Sequence, residues 1–177
     1  MRRTTWALLI WLMFAPIYAQ RTPTVDIDPG LDVILPGEQV FLSTLLSTTE
    51  DPRVGKISFE LSYPAELLSF VEAKPGPAGE LSGSNIKTEV YNSQDNVEER
   101  ILRVEVSAPQ SIPQGVVLKL TFQVSEEAHA PSQIVLRNVK HSAESVEGEA
   151  LETHGIDGTI TVVSVDSPIF ACFLYMH

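Results

Sequence analysis

The chain has 177 residues, the size of one domain. It carries 12 basic and 23 acidic residues, for a formal charge of −11. A polyanion repels a chain of this sign, so nucleic acid is excluded as an expected partner. An apolar fraction of 44% with 20% charged residues excludes a disordered chain and describes a globular one.

Arg2 and Arg3 open the sequence, Trp6 to Ala15 is a near-continuous apolar run, and Pro16-Ile17-Tyr18-Ala19 leads to Gln20. This is the pattern of a secretory signal peptide over residues 1–19, cut after Ala19. The alternative is an uncleaved anchor, for which the apolar run is short against the roughly 20 residues of a bilayer span. No Cys follows the run, so a bacterial lipoprotein anchor is not expected. The expected location is secreted or periplasmic, with no stable membrane insertion after cleavage. Cleavage removes Trp6 and Trp11, the two tryptophans of the chain, and two arginines without any acid. One cysteine, Cys172, permits no internal disulfide.

From Thr24 onward the periodicity is that of strands. Val25–Asp28 is a short run. Gln39–Leu46 is β-rich and follows the turn pair Pro36-Gly37. Ile57–Tyr63, Asn85–Tyr91, Leu102–Ser107 and Leu118–Val124 alternate apolar with polar residues. Ser69–Ala73, Gln133–Arg137 and Gly158–Val163 are further short runs. A half-buried strand needs period two because successive side chains point to opposite faces. Breaks fall at Pro75–Gly79, Ser93–Asn96 and Pro109–Gly115, and Glu126–Ala130 reads as a loop or short turn. Pro64–Leu68 looks like a helical turn. Nine short strands with such punctuation describe a two-sheet sandwich. Ser142–Gly155, with Glu144, Glu147, Glu149 and Glu152, reads as a solvated loop or irregular edge, and a metal site is the alternative. The resulting division is a signal peptide 1–19, a β-sandwich domain 20–163 and a tail 164–177. Within that tail, Pro168–His177 is almost wholly apolar. It is too short to span a bilayer. It would pack on the sandwich as an extra strand or dock into another protein by strand addition, or else it is an ordinary frayed terminus. Cys172 would allow a homodimer in an oxidising compartment.

The chemistry of an enzyme is missing. There is no Gly-x-Ser-x-Gly elbow and no Gly-rich phosphate loop. His129, His141, His154 and His177 show no zinc-ligand spacing, and each reads as a surface residue. Asp26–Asp32 superficially resembles a calcium loop, but Pro29 and Gly30 break the register. Gly37 stands where a closing Glu belongs. Paired carboxylates for glycoside cleavage are not excluded, but scattered acids on strand faces read first as solubilising charge. The expectation is no enzyme, no metal and no cofactor.

Phe59-Glu60-Leu61-Ser62-Tyr63-Pro64-Ala65-Glu66-Leu67-Leu68-Ser69-Phe70-Val71 resembles a cohesin domain. That family shows an alternating strand, then Tyr-Asp-Pro, two variable residues and Leu, then another strand. Ile112–Val124 resembles the family's Gly-start strand with its Phe-x-Val ending, and Pro36–Val40 fits its Gly-x-x-Val approach to the second strand. The resemblance covers about Thr24 to Val163. One departure is plain: the Asp of Tyr-Asp-Pro is absent, and Pro64 follows Tyr63 directly.

The resemblance implies an all-β, nine-stranded jelly-roll β-sandwich without catalytic activity. It implies binding of dockerin modules in the assembly of polysaccharide-degrading complexes. The calcium of such complexes belongs chiefly to the dockerin. Period two directs Ile57, Phe59 and Leu61 inward, leaving Lys56, Ser58, Glu60 and Ser62 outward. It directs Leu102, Val104 and Val106 inward, leaving Arg103, Glu105 and Ser107 outward. Tyr91 shares the outward phase of Lys87 and Glu89. By resemblance these outward positions lie on the dockerin-facing sheet, which makes Lys56, Ser58, Glu60, Tyr91, Arg103 and Glu105 the candidate partner-binding residues. Polar outward residues are equally what any solvated sheet presents. Tyr91 is the best single candidate, since tyrosine is enriched at interfaces.

Two other functions stay open. One is a carbohydrate-binding module on the same sandwich, taking polysaccharide. It would need a flat aromatic platform, often tryptophan, and after residue 19 there is no Trp and the only tyrosines are Tyr63, Tyr91 and Tyr175. The other is a hydrolase, for which the motifs are missing. No attached enzyme, dockerin or anchoring region is seen, so a multi-enzyme scaffold role is not expected, and the partner need not be a dockerin.

Overall fold

The computed structural model describes residues 24–165. Residues 1–19, expected to be a signal peptide, and the apolar segment Pro168–His177, with Cys172, lie outside them.

The described chain forms eleven strands and one short helix. They are β1 (Thr24–Asp28), β2 (Leu31–Ile34), β3 (Gln39–Thr48), β4 (Val54–Pro64), β5 (Leu68–Pro75), α1 (Pro77–Ser82), β6 (Asn85–Asn92), β7 (Glu99–Ser107), β8 (Gly115–Val124), β9 (Ser132–Ser145), β10 (Ala150–Gly155) and β11 (Gly158–Val162). One layer runs β5-β8-β3-β1-β10 and the other β9-β4-β7-β6. β9 links the layers. Its Ser132–Leu136 half pairs with β11, its Arg137–Ser145 half pairs with β4, and its far end meets β10. The all-β sandwich expected from the alternation is therefore present, with two strands more than the nine predicted.

The alternation explains the core. On β3, Val40, Leu42 and Leu46 are buried, while Phe41, Ser43 and Leu45 face out. Val25 and Ile27 of β1 and Leu118, Leu120, Phe122 and Val124 of β8 complete that inner face. Ile57, Phe59, Leu61 and Tyr63 of β4, Leu102, Val104 and Val106 of β7, and Leu136 of β9 oppose them. The middle of this core is aromatic: the Phe122 ring meets Tyr63 edge-on at 5.4 Å and Phe70 at 5.6 Å.

Three local expectations are corrected. Pro75–Gly79, read as a break, leads into α1. Gly76 and Gly79 let that helix lie directly on β8, since a Cβ on Gly76 would come within 2.5 Å of the Val116 carbonyl oxygen. Ser142–Gly155, read as a solvated loop or irregular edge, is regular structure: the end of β9, a turn, and β10, which runs parallel to β1. Ala143 and Leu151 are its inward residues, small or solitary enough to hide the period. His141 is not a plain surface residue: it is half-buried, with Nδ1 enclosed and unpartnered among the described residues. It packs beside Gly155, where a Cβ would stand 2.5 Å from that nitrogen. His129 and His154 are exposed, as expected, and His177 lies outside the described residues.

Tyr63 is 1% exposed, and its hydroxyl comes near the Phe70 backbone without reaching hydrogen-bond geometry. Burial, partly offset by Arg100, pushes its pKa above the ordinary value of 10.0. A raised folded-state pKa leaves stability intact below pH 10. Above it the unfolded tyrosine ionises more readily than the folded one, and stability falls. Tyr63→Phe removes an unpaired buried hydroxyl, so it is expected to cost under about 1 kcal/mol at pH 7. It should also flatten the decline above pH 10. Urea midpoints measured from pH 7 to 11 check both points, and a large loss at pH 7 would show that the hydroxyl has a native partner.

Candidate partner-binding face

The outer surface of β9-β4-β7-β6 is built from four aligned rows. Register places Asn85, Ser107, Lys56 and Glu144 in one row, and Lys87, Glu105, Ser58 and Ser142 in the next. Glu89, Arg103, Glu60 and Lys140 form the third row, and Tyr91, Ile101, Ser62 and Arg137 the fourth. The six residues expected from the sequence, Lys56, Ser58, Glu60, Tyr91, Arg103 and Glu105, thus share one contiguous face.

Arg103 organises the centre. Its Nε and Nη2 both donate to Glu60 Oε1, at 2.9 and 2.7 Å. Its Nη1 lies 3.6 Å from Glu89, and its guanidinium sits 5.4 Å from the Tyr91 ring centroid. This is a cation–π contact on the ring's negative face. The Glu60 hydrogen bond and charge hold the Arg103 pKa above its ordinary value. The Tyr91 phenol is also raised, first by desolvation and then by the negative Glu60. In the neighbouring row Glu105 lies between Lys56 at 3.2 Å and Lys87 at 3.8 Å. Ser62 donates to Glu99, which also meets Arg137 at 3.5 Å.

The electrostatic outcome is unusual for so acidic a chain. On this face Lys56, Lys87, Arg103, Arg137 and Lys140 balance Glu60, Glu89, Glu99, Glu105 and Glu144. Such exposed pairs add little to stability. They do leave a flat, paired surface with few isolated charges to desolvate when something covers it. Sequence reasoning missed the β9 contribution, Arg137, Lys140, Ser142 and Glu144. Val139 is an extra residue against β4 and shifts the alternation midway along β9. Among the described residues no group of three or more His, Cys, Asp or Glu could hold a metal. No helix among them is long and apolar enough to cross a membrane.

This architecture is a two-layer β-sandwich with one charge-paired sheet face, and the family comparison agrees with that fold. The cohesin domain model matches residues 30–162, and the chain belongs to the cohesin domain family. No curated relative matches the sequence. Similar solved structures include a non-cellulosomal cohesin from the archaeon Archaeoglobus fulgidus, at 17% identity and TM-score 0.64. That match covers 89% of this chain and 100% of the other. The OlpA cohesin of Clostridium thermocellum, solved in complex with the dockerin Doc918, is 16% identical with a TM-score of 0.64, covering 79% and 99%. The cohesin CaCohA2 of Clostridium acetobutylicum is 18% identical with a TM-score of 0.62, covering 84% and 96%. At these identities the likeness concerns the fold.

Proposed function

We propose that this chain is an exported, non-catalytic module that holds a dockerin-type protein on the outer face of β9-β4-β7-β6. The observation that carries the reading is the Arg103 cluster. An arginine forked onto Glu60 and stacked by Tyr91 lies at the middle of a broad, charge-balanced sheet face in a cohesin fold. Arginine and tyrosine are the residue types that dominate interface energetics. The positive start and apolar run of residues 1–19 support export. A setting in extracellular polysaccharide degradation rests on the family alone, and one similar structure is described as non-cellulosomal. A sugar platform is not favoured: among the described residues Tyr91 and the exposed Phe41 stand on opposite sheets and cannot form one aromatic strip.

Calorimetric titration of the chain with a panel of dockerin modules, including the Doc918 dockerin, tests the proposal. Saturable one-to-one binding to at least one module is expected. If no module binds while each still binds its own cohesin, the dockerin reading is wrong.

A further inference from the structure

The outer face of the second layer differs from that of a solvated sheet. Phe41 and Leu45, on the outward phase of β3, are 58% and 41% exposed. Val71 bulges from β5 beside the Phe41 row and is 47% exposed. Beyond Leu45 the stripe opens into a shallow groove of about 390 Å³, lined by Leu31, Leu45, Val116, Ile156 and Thr159 among others. Ser43, Lys119 and the Glu72–Lys74 ion pair stand among these residues, but large apolar side chains in water that lead into an apolar groove mark a surface that is normally covered.

We propose that the cover is the chain's own C-terminal segment, Pro168–His177. Its sequence is suited to the stripe: Ile169, Phe170, Phe173, Leu174, Tyr175 and Met176 with no Asp, Glu, Lys or Arg. Its point of departure is suited as well. The Val163 N–H donates to the Ile34 carbonyl at 2.9 Å. Ile34 leads through the Leu35–Glu38 turn into β3, where Phe41 is the third residue. The chain therefore leaves the sandwich near the Phe41 end of the stripe. The lengths agree. Ser164–Ser167 can bridge about 13 Å, and ten extended residues reach about 33 Å. The four residue-to-residue steps from Phe41 to Leu45 span only about 13 Å, so the segment can cover the stripe and enter the groove. This surface lies on the opposite layer from the Arg103 cluster, and the inference does not depend on the proposed partner.

Cys172 is the one cysteine in the sequence, so it serves as a probe within the segment. Ser43→Cys places a thiol between Phe41 and Leu45, and Lys119→Cys places one directly opposite it on the adjacent strand β8, widening the target across the same row. Ser58→Cys on the opposite layer is the control. After mild oxidation of the dilute full chain, Ser43→Cys or Lys119→Cys should form an intramolecular disulfide at least about tenfold faster than Ser58→Cys. The readout is maleimide-resistant monomer on non-reducing electrophoresis. Adding Phe41→Ser and Leu45→Thr should abolish that preference. Equal rates at all three positions would overturn the proposal. So would products that are only disulfide dimers, which would assign the stripe to a second copy.

Discussion

Phe122→Ala is expected to destabilise the chain by about 3–5 kcal/mol, the cost of emptying a buried aromatic site. Phe122 is fully buried on β8, the strand that pairs with both β5 and β3. Its ring is held edge-on by Tyr63 from the opposite layer and by Phe70 from its own. Truncation removes both contacts at once. The rigid backbone on either side limits collapse into the space. Phe122→Leu retains much of the volume and should lose roughly half as much, since shape rather than polarity changes. Urea denaturation should show the loss as a lower midpoint with an unchanged slope. A loss below about 1 kcal/mol for the alanine variant would show that this aromatic cluster is not the centre of the core.

Arg103→Glu is expected to lower partner affinity by more than about tenfold while leaving the fold intact. The substitution sets a third carboxylate between Glu60 and Glu89, which are now neutralised by the guanidinium. It also removes the cation facing Tyr91. The side chain is exposed, so no core contact is lost. Arg103→Lys should fall between the two, because an ammonium keeps the charge but cannot reproduce the two-pronged contact with Glu60 Oε1. Unchanged affinity in both variants, with dockerin as the titrant, would remove Arg103 from the interface.

The fold was legible where alternation was strict and both ends of a strand were marked. β4 and β7 show Ile57/Phe59/Leu61 and Leu102/Val104/Val106 at period two, and the structure buries every one. β2 was missed because Leu31–Ile34 is short and only partly buried, so its side chains show no contrast between faces. β10 was missed for a related reason. Its inward positions are Leu151, Thr153 and Gly155, only the first of them large and apolar, and Ala150, Glu152 and His154 face outward. The bulge at Val139 divides β9 into two phases, and the second half then reads as an acidic loop.

The candidate face was half legible. Period two gives the outward residues of each strand but not which strands lie side by side or in what register. That Arg103 stands between Glu60 and Glu89 follows from the pairing of β7 with β4 and β6. No local signal in the sequence carries that pairing. The apolar stripe was hidden in the same way. Phe41 and Leu45 look like ordinary members of a hydrophobic strand until the inward set Val40, Leu42 and Leu46 is known.

The central claim is that one layer of the sandwich, and not the other, receives the partner. Charge reversal on each outer face tests it most directly: the dissociation constant of a bound dockerin module is measured for Arg103→Glu and for Lys119→Glu, an exposed residue of β8 on the opposite layer. A loss above about tenfold is expected for the first variant and an unchanged constant for the second. Equal losses, or a loss confined to Lys119→Glu, would contradict it.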